Sequence, residues 1–259
     1  MTFLENFTSK QKQRRFYFQY TLFFCVLCVF IFGWYFFTGK NFIYNGDGFA
    51  QHYPGYIYYV RWLRKILKNI FLYHTFSIPT WDFNIGYGSD IIKTLCYYIV
   101  GDPFCLPLVF VPSKFVHWYF NFSVLFRIYC AGLSFIVLCK GFPVLNKKSN
   151  SAIFAGIFTY IFYHFAIYNV ARHPFFLNPL VFFPLVISGL ERILKGKSPF
   201  LFVISVALSS ASNFYFFYMI VLFTIVYALV REFVINGKNA KKILPLFLVF
   251  LKFQKKKFT

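Results

Sequence analysis

Residues 16–38 read FYFQYTLFFCVLCVFIFGWYFFT, 23 positions without a charge. As a helix this run rises about 35 Å, enough to cross roughly 30 Å of hydrocarbon. Lys10, Lys12, Arg14 and Arg15 precede it. A cleaved signal peptide has an apolar core of only about 7–15 residues, ending at a small-residue site. This run is longer and no such site follows it, so it reads as an uncleaved first span. The rest of the chain agrees. Of 259 residues, 59% are hydrophobic, 25% aromatic and 13% charged, and 42 are Phe. A water-soluble domain carries about 25% charged residues, and a disordered chain lacks the apolar content found here. The expected fold is an all-α, polytopic transmembrane helix bundle.

Outward from the first span, the chain divides by composition. Residues 1–15 form a short basic N-terminus. Residues 39–114 hold four of the seven acidic residues (Asp47, Asp82, Asp90 and Asp102) among many Gly and Pro, and read as a long extramembrane loop. Apolar helices then occupy 115–251. Spans are expected at 115–139, 151–170 and 175–191, and the apolar stretch 199–230 is interrupted near Asn213. Two passes meeting at Asn213, the first of them short, keep Arg231, Lys238, Lys241 and Lys242 off the face that bears the long loop. A further apolar start at 243–251 meets the basic tail 252–259, so the chain is expected to be the N-terminal part of a longer protein.

The formal net charge is +20. The basic residues are scattered between apolar runs, which speaks for topology rather than nucleic-acid binding. Fourteen of them fall on one side of the expected bundle, so the N-terminus is expected inside the cell and 39–114 outside. Cys25 and Cys28 form a CxxC inside the first span with no His or second pair to complete a zinc site. Cys96 and Cys105 share the long loop, where a disulfide is one option.

The loop opens with Asn45-Gly46-Asp47-Gly48-Phe49-Ala50-Gln51-His52-Tyr53-Pro54. Glycines on both sides of a carboxylate allow a ligand close to the backbone. Asp47 there can act as a general base or hold a cation. The same residues also suit a Gly-rich turn with a solvated or helix-capping Asp. His52 is either a phosphate ligand or proton carrier, or a polar residue at the interface. Residues 56–73 place Arg61, Arg64, Lys65 and Lys68 at helical spacing opposite Tyr59, Leu63, Ile66, Leu67 and Ile70. That pattern fits an amphipathic helix on a membrane surface, anchored to lipid headgroups or meeting a lipid phosphate. Asp102 is a second candidate carboxylate or a turn residue before Pro103. Arg127 lies inside an apolar span, where a charge needs a partner. Arg172 and His173 fall in a short turn on the face of Asp47.

The ordered set NGDGFAQHYP, the basic-aromatic helix, PTWDFNIGYGSD, YYIVGDPF and HPFFLNPLVFFPLVISGLERIL resembles the N-terminal portion of the bacterial YfhO-type membrane proteins. These are similar to the GT-C class of polyprenyl-phosphate-dependent glycosyltransferases. The resemblance implies a GT-C-like bundle and sugar transfer on the outer face of the membrane. It also implies an undecaprenyl-phosphate-linked donor and a cell-envelope acceptor such as lipoteichoic acid. It places the catalytic carboxylate at Asp47. Substrate contacts are expected from Gln51, His52, Arg61, Arg64, Asp102, Arg172 and His173. No cofactor is required, a divalent metal is admissible, and the other expected partners are membrane lipids. A transporter or lipid-translocating protein is the competing class, favoured by Arg127 and the interrupted 199–230 segment. An inactive fragment is the third.

Overall fold

The computed structural model describes residues 3–96, 99–142 and 149–236. The apolar start at 243–251 and the basic tail lie outside the described residues. The helices are α1 (Phe3–Phe37), α2 (Tyr53–Tyr73), α3 (Ile91–Leu95), α4 (Val116–Gly141), α5 (Asn150–Ile161), α6 (His164–Arg172), α7 (Asn178–Leu194), α8 (Phe200–Ser212) and α9 (Phe214–Asn236). Strands β1 (Trp81–Asp82) and β2 (Ser89–Asp90) pair antiparallel within the long loop. Among the described residues, four helical stretches are long and apolar enough to cross a membrane: 11–37, 113–141, 174–194 and 214–232. Helices α5 and α6 together make a fifth, bent by 44° at residues 162–163.

Sequence predicts the third span as one helix; the structure shows this bent pair instead. No proline or glycine marks the break. The second half carries His164, Asn169 and Arg172, and its polar character is what the bend turns aside from the line of α5. The interrupted 199–230 segment forms two helices, as expected. Asn213 is extended between them, and α8 is only 13 residues long. Asn178, at the start of α7, donates to Ser212 at the end of α8 (3.3 Å). Arg231 on α9 reaches Glu191 near the end of α7 (2.5 Å). So α8 returns along α7, and α9 runs back beside it.

Side-chain bonds fix the remaining directions. Tyr20 of α1 is buried and donates to the Tyr129 carbonyl of α4 (2.7 Å). Lys140 at the end of α4 reaches Tyr17, at the start of the uncharged run of α1 (3.0 Å). The two helices are therefore antiparallel. At Gly189 of α7, an added Cβ would stand 2.6 Å from the Phe202 backbone of α8, so only glycine lets these helices approach so closely. The outer surfaces of α1, α4 and α9 expose Phe18, Phe30, Trp34, Phe122, Phe223 and many other apolar side chains. That is the surface a lipid solvent favours. The long loop, the α6–α7 turn and the α8–α9 break all lie at one end of the bundle. Lys140, Lys195 and Arg231 lie at the other.

Part of the long loop descends between the helices. Gly101, at φ +88°, lies so close to Ala211 that an added Cβ would fall 2.3 Å from its carbonyl oxygen. Beside it, Asp102 is fully buried and accepts from Arg127 Nη2 at 2.7 Å. Arg127 stands eleven residues inside α4, about 16 Å along its axis. Its guanidinium also donates to Asn178 Oδ1 (2.9 Å), the Ser123 carbonyl (3.1 Å) and the Tyr56 hydroxyl (3.2 Å). The rings of Phe104 and Phe175 lie against it. Asp102 Oδ1 accepts the Phe104 amide (2.9 Å), so the turn reading of this residue holds as well. All six cysteines are free thiols. The Cys96–Cys105 bridge is not formed. Cys105 is buried beside Arg127, whereas Cys96 is exposed.

Breaking a buried ion pair strands the remaining charge, at a cost of about 3–5 kcal/mol. Arg127→Ala is expected to lower the thermal unfolding midpoint of the detergent-solubilised protein sharply. The double replacement Arg127→Met with Asp102→Leu should recover much of that loss.

Candidate functional site

The first turn after α1 builds the site. Residues Gly48–His52 wind as a single π-helical turn, in which the Tyr53 amide donates to the Gly48 carbonyl. Pro54 has no amide hydrogen, so the α-helical bond back to Ala50 cannot form, and the wider turn bridges into α2. Gly48 fits because its Cα packs against the Ile43 backbone, where a Cβ would stand 3.2 Å away. Asp47 precedes the turn and Gln51 lies above it. Gln51 Nε2 donates to Asp47 Oδ1 at 3.3 Å.

The α6–α7 turn supplies the other side. His173 Nε2 lies 3.7 Å from Asp47 Oδ2. His173 Nδ1 is 3.2 Å from His52 Nε2, so one of these two neutral nitrogens donates to the other. His52 is buried against Phe175, while Asp47 and His173 are partly exposed. Arg172 is exposed above the rings of Tyr44 and Tyr168, at 5.9 and 5.3 Å. The result is a polar line from a half-open carboxylate, across an ion-pair distance to His173 and a hydrogen bond on to a buried imidazole, with a cation at its rim. Among the described residues, no three His, Cys, Asp or Glu side chains converge as a metal-ligand set. Asp47, His173 and His52 are strung in a row, not gathered around a common point.

Of the residues expected from sequence, Asp47, Gln51, His52, Arg172 and His173 come together. Three others do not. Asp102 is closed in its pair with Arg127 beneath the site and offers no free oxygen at the surface. Arg64 is spent on the loop: its guanidinium donates to the Val109 carbonyl (3.2 Å), Ser113 Oγ (3.1 Å) and the Val111 carbonyl. Arg61 is exposed on α2, ten residues beyond Gln51 and about 15 Å along the helix. Tyr44 is not among the residues sequence points to, since a lone aromatic before NGDG carries no signal of what will stack on it.

Beside the cluster lies an apolar groove of about 400 Å³ between α5, α7 and α9, lined by residues that include Tyr160, Tyr163, Leu180, Phe183, Phe216 and Phe223. It adjoins the α5–α6 bend. Phe216 touches Phe176 (4.9 Å between ring centres), and Phe176 stacks on His173 (4.8 Å). The groove and the polar cluster thus share an aromatic wall.

These features define a multi-pass membrane protein with a polar site at the loop-bearing end of its bundle and an apolar groove alongside. The chain belongs to the YfhO family: the family model of the bacterial membrane protein YfhO matches residues 21–255. It is similar to the uncharacterized protein YfhO of Bacillus subtilis (strain 168), at 23% identity over 201 residues, covering 72% of this chain and 21% of that protein. The chain therefore spans about a fifth of the length of this relative. No solved structure matches the chain.

Burial holds His52 down at about 4, with His173 adding to the effect and Asp47 opposing it. His173 is also lowered, chiefly by burial. In the unfolded chain His52 takes up its proton near pH 6.5. Its folded value lies lower, so the stability it contributes is complete above that pH and drains away as pH falls from about 6.5 to about 4. Unfolding midpoints in detergent should fall across this window. His52→Gln should flatten the fall, leaving the part due to His173.

Proposed function

We propose that this chain carries the reaction end of an envelope glycosyltransferase. The enzyme transfers a sugar from a polyprenyl-phosphate donor to a cell-envelope polymer, such as lipoteichoic acid, on the outer face of the membrane. The observation that carries this reading is the meeting of Asp47, Gln51, His173 and Arg172 beside an apolar groove. A lipid-borne donor needs both kinds of surface: an apolar seat for its chain and a polar one for its phosphate and sugar. The expected orientation, with the N-terminus cytoplasmic and the long loop outside, puts the cluster where such a donor and an extracellular acceptor can meet.

In the proposed step an acceptor hydroxyl attacks the anomeric carbon. The bond from that carbon to the phosphate oxygen breaks, and the electron pair leaves with the lipid phosphate. Asp47 takes the hydroxyl proton. Gln51 orients the carboxylate, and His173 lies close enough to share the charge. Arg172 is the nearest exposed cation for the departing phosphate. The transport alternative is weakened by Arg127, whose donors are engaged by Asp102, Asn178, Ser123 and Tyr56 and so are not open to a passing solute.

The test is a glycan analysis of envelope polymers from cells lacking the gene, complemented with wild type or Asp47→Asn. Loss of a general base costs about 10²–10⁴-fold in rate. Sugar incorporation is expected to vanish in Asp47→Asn while membrane insertion is unchanged. Wild-type incorporation by that variant would overturn the assignment.

A further inference from the structure

A second pocket, distinct from the Asp47 cluster, lies farther along α2. It measures about 640 Å³ and sits between α2 and the β1–β2 hairpin. Arg61 and Lys65 stand one helical turn apart on its α2 wall, both exposed. Among the described residues neither forms an ion pair, in contrast to Arg127, Lys195 and Arg231. The opposite wall is Trp81, more than half exposed, with Asn84 beside it.

The pocket is built rather than incidental. Tyr58 donates to Asp82 Oδ2 at 2.5 Å. The Asn84 amide and side chain both donate to Asp82 Oδ1 at 2.8 Å. Trp62 Nε1 donates to the Pro79 carbonyl at 2.8 Å, which ties the hairpin's approach to α2. The Tyr58 hydrogen bond, aided by the Asn84 amide and the Lys65 charge, holds the Asp82 carboxyl below the usual carboxylate range. Asp82 is therefore a permanent acceptor that fixes the pocket's walls. Arg61, the exposed part of the Trp81 indole, the outward side of Asn84 and Lys65, whose charge Asp82 only partly offsets, remain for a ligand.

We infer that this pocket is a binding subsite for a phosphodiester-linked polyol or sugar chain, with Arg61 and Lys65 on its phosphates and Trp81 against the carbon face of its polyol or sugar units. The charge fits: two cations against one carboxylate leave a net attraction for an anionic chain. An aromatic face beside polar groups suits alternating apolar and hydroxyl-bearing surfaces. The inference rests on the proposed function in one respect. The pocket lies about 15–20 Å along α2 from the Asp47 cluster, so a chain held here presents a more distal unit to the carboxylate. A glycerol phosphodiester also occurs in lipid headgroups. The polymer is favoured because the wall alternates exposed Trp81 and Phe83 with Asp82 and Asn84 along a pocket of about 640 Å³, which an extended chain of alternating phosphate and carbon units follows more fully than one headgroup.

The test uses the full chain in phosphatidylcholine nanodiscs, titrated with short synthetic poly(glycerol phosphate). Saturable binding is expected, weakening as salt rises and exceeding that of a neutral oligosaccharide of equal length. The double variant Arg61→Glu, Lys65→Glu should weaken it about tenfold or more, as loss of charge-assisted bonds implies. Trp81→Ala should weaken it by a smaller factor. These side chains are exposed, so unfolding midpoints should stay near wild type. Arg61→Gln with Lys65→Gln gives the same ordering without charge reversal. Equal polymer binding by wild type and both double variants would overturn the subsite. So would weakened attachment to phosphatidylglycerol vesicles with no change in polymer binding, which would make the pocket a lipid contact. Asp47→Asn should keep polymer binding. Its failure to abolish sugar transfer would count against the catalytic reading alone, whereas absent polymer binding counts against this subsite alone.

Discussion

A guanidinium and a carboxylate, both withdrawn from solvent, hold this structure's two halves together. Arg127 belongs to a helix of the bundle and Asp102 to the loop. Neither is tolerable alone in an apolar interior, because desolvation of a lone ion outweighs any packing gain. Together, with Tyr56, Ser123 and Asn178 on the remaining donors, they are satisfied. Tyr56 belongs to α2 and Asn178 opens α7, so this one knot fixes the helix after the Asp47 turn and the helix after the His173 turn. Phe175, packed against Arg127, Tyr56 and His52, carries that order up to the polar cluster. The site is rigid from below because its floor is an electrostatic lock.

The opposite end of the bundle repeats the device in a weaker form. Glu191 is buried and receives Arg231, Lys195 and Tyr227. Its cations remain partly exposed, so it is less isolated from solvent than the Arg127 pair. It ties α9 to α7 and leaves the loop-bearing end free of that duty. The lines of force are thus divided. One carboxylate closes the helices at the end where Lys140 and Lys195 gather, the other anchors the loop, and Asp47 is left partly open.

Much of this was legible in the sequence, and the reason is locality. Hydropathy marks the spans, a period of 3.6 marks α2, and NGDG with Gln51 and His52 lies within a few residues of itself. The interruption at Asn213 could be read because a single rod would put Arg231, Lys238, Lys241 and Lys242 on the face of the long loop, against the positive-inside bias, and the polar stretch 209–213 offers a place to turn. What was hidden depends on distance. Arg127 demanded a partner, yet nothing local names Asp102, which lies 25 positions upstream. His173 meets Asp47 across more than a hundred residues. Arg61 and Arg64 share one helix and one chemistry. Their fates differ only because the 109–113 segment passes under Arg64. The α5–α6 bend had no proline or glycine to announce it, so apolar continuity suggested a straight rod.

The descent of residues 99–105 into the bundle bears on how the chain is made. It packs on Gly55 and Tyr56, made before it, and on Tyr119, Arg127 and Ala211, made after it. The segment is made early, and the part of its receptacle at Ala211 does not exist until α8 has been inserted. During that interval Asp102 is hydrated while Arg127 sits in lipid or in the insertion machinery without its counter-ion. A chain in which this segment fails to seat displays a bare cation within its helices, the kind of defect membrane quality control is equipped to find.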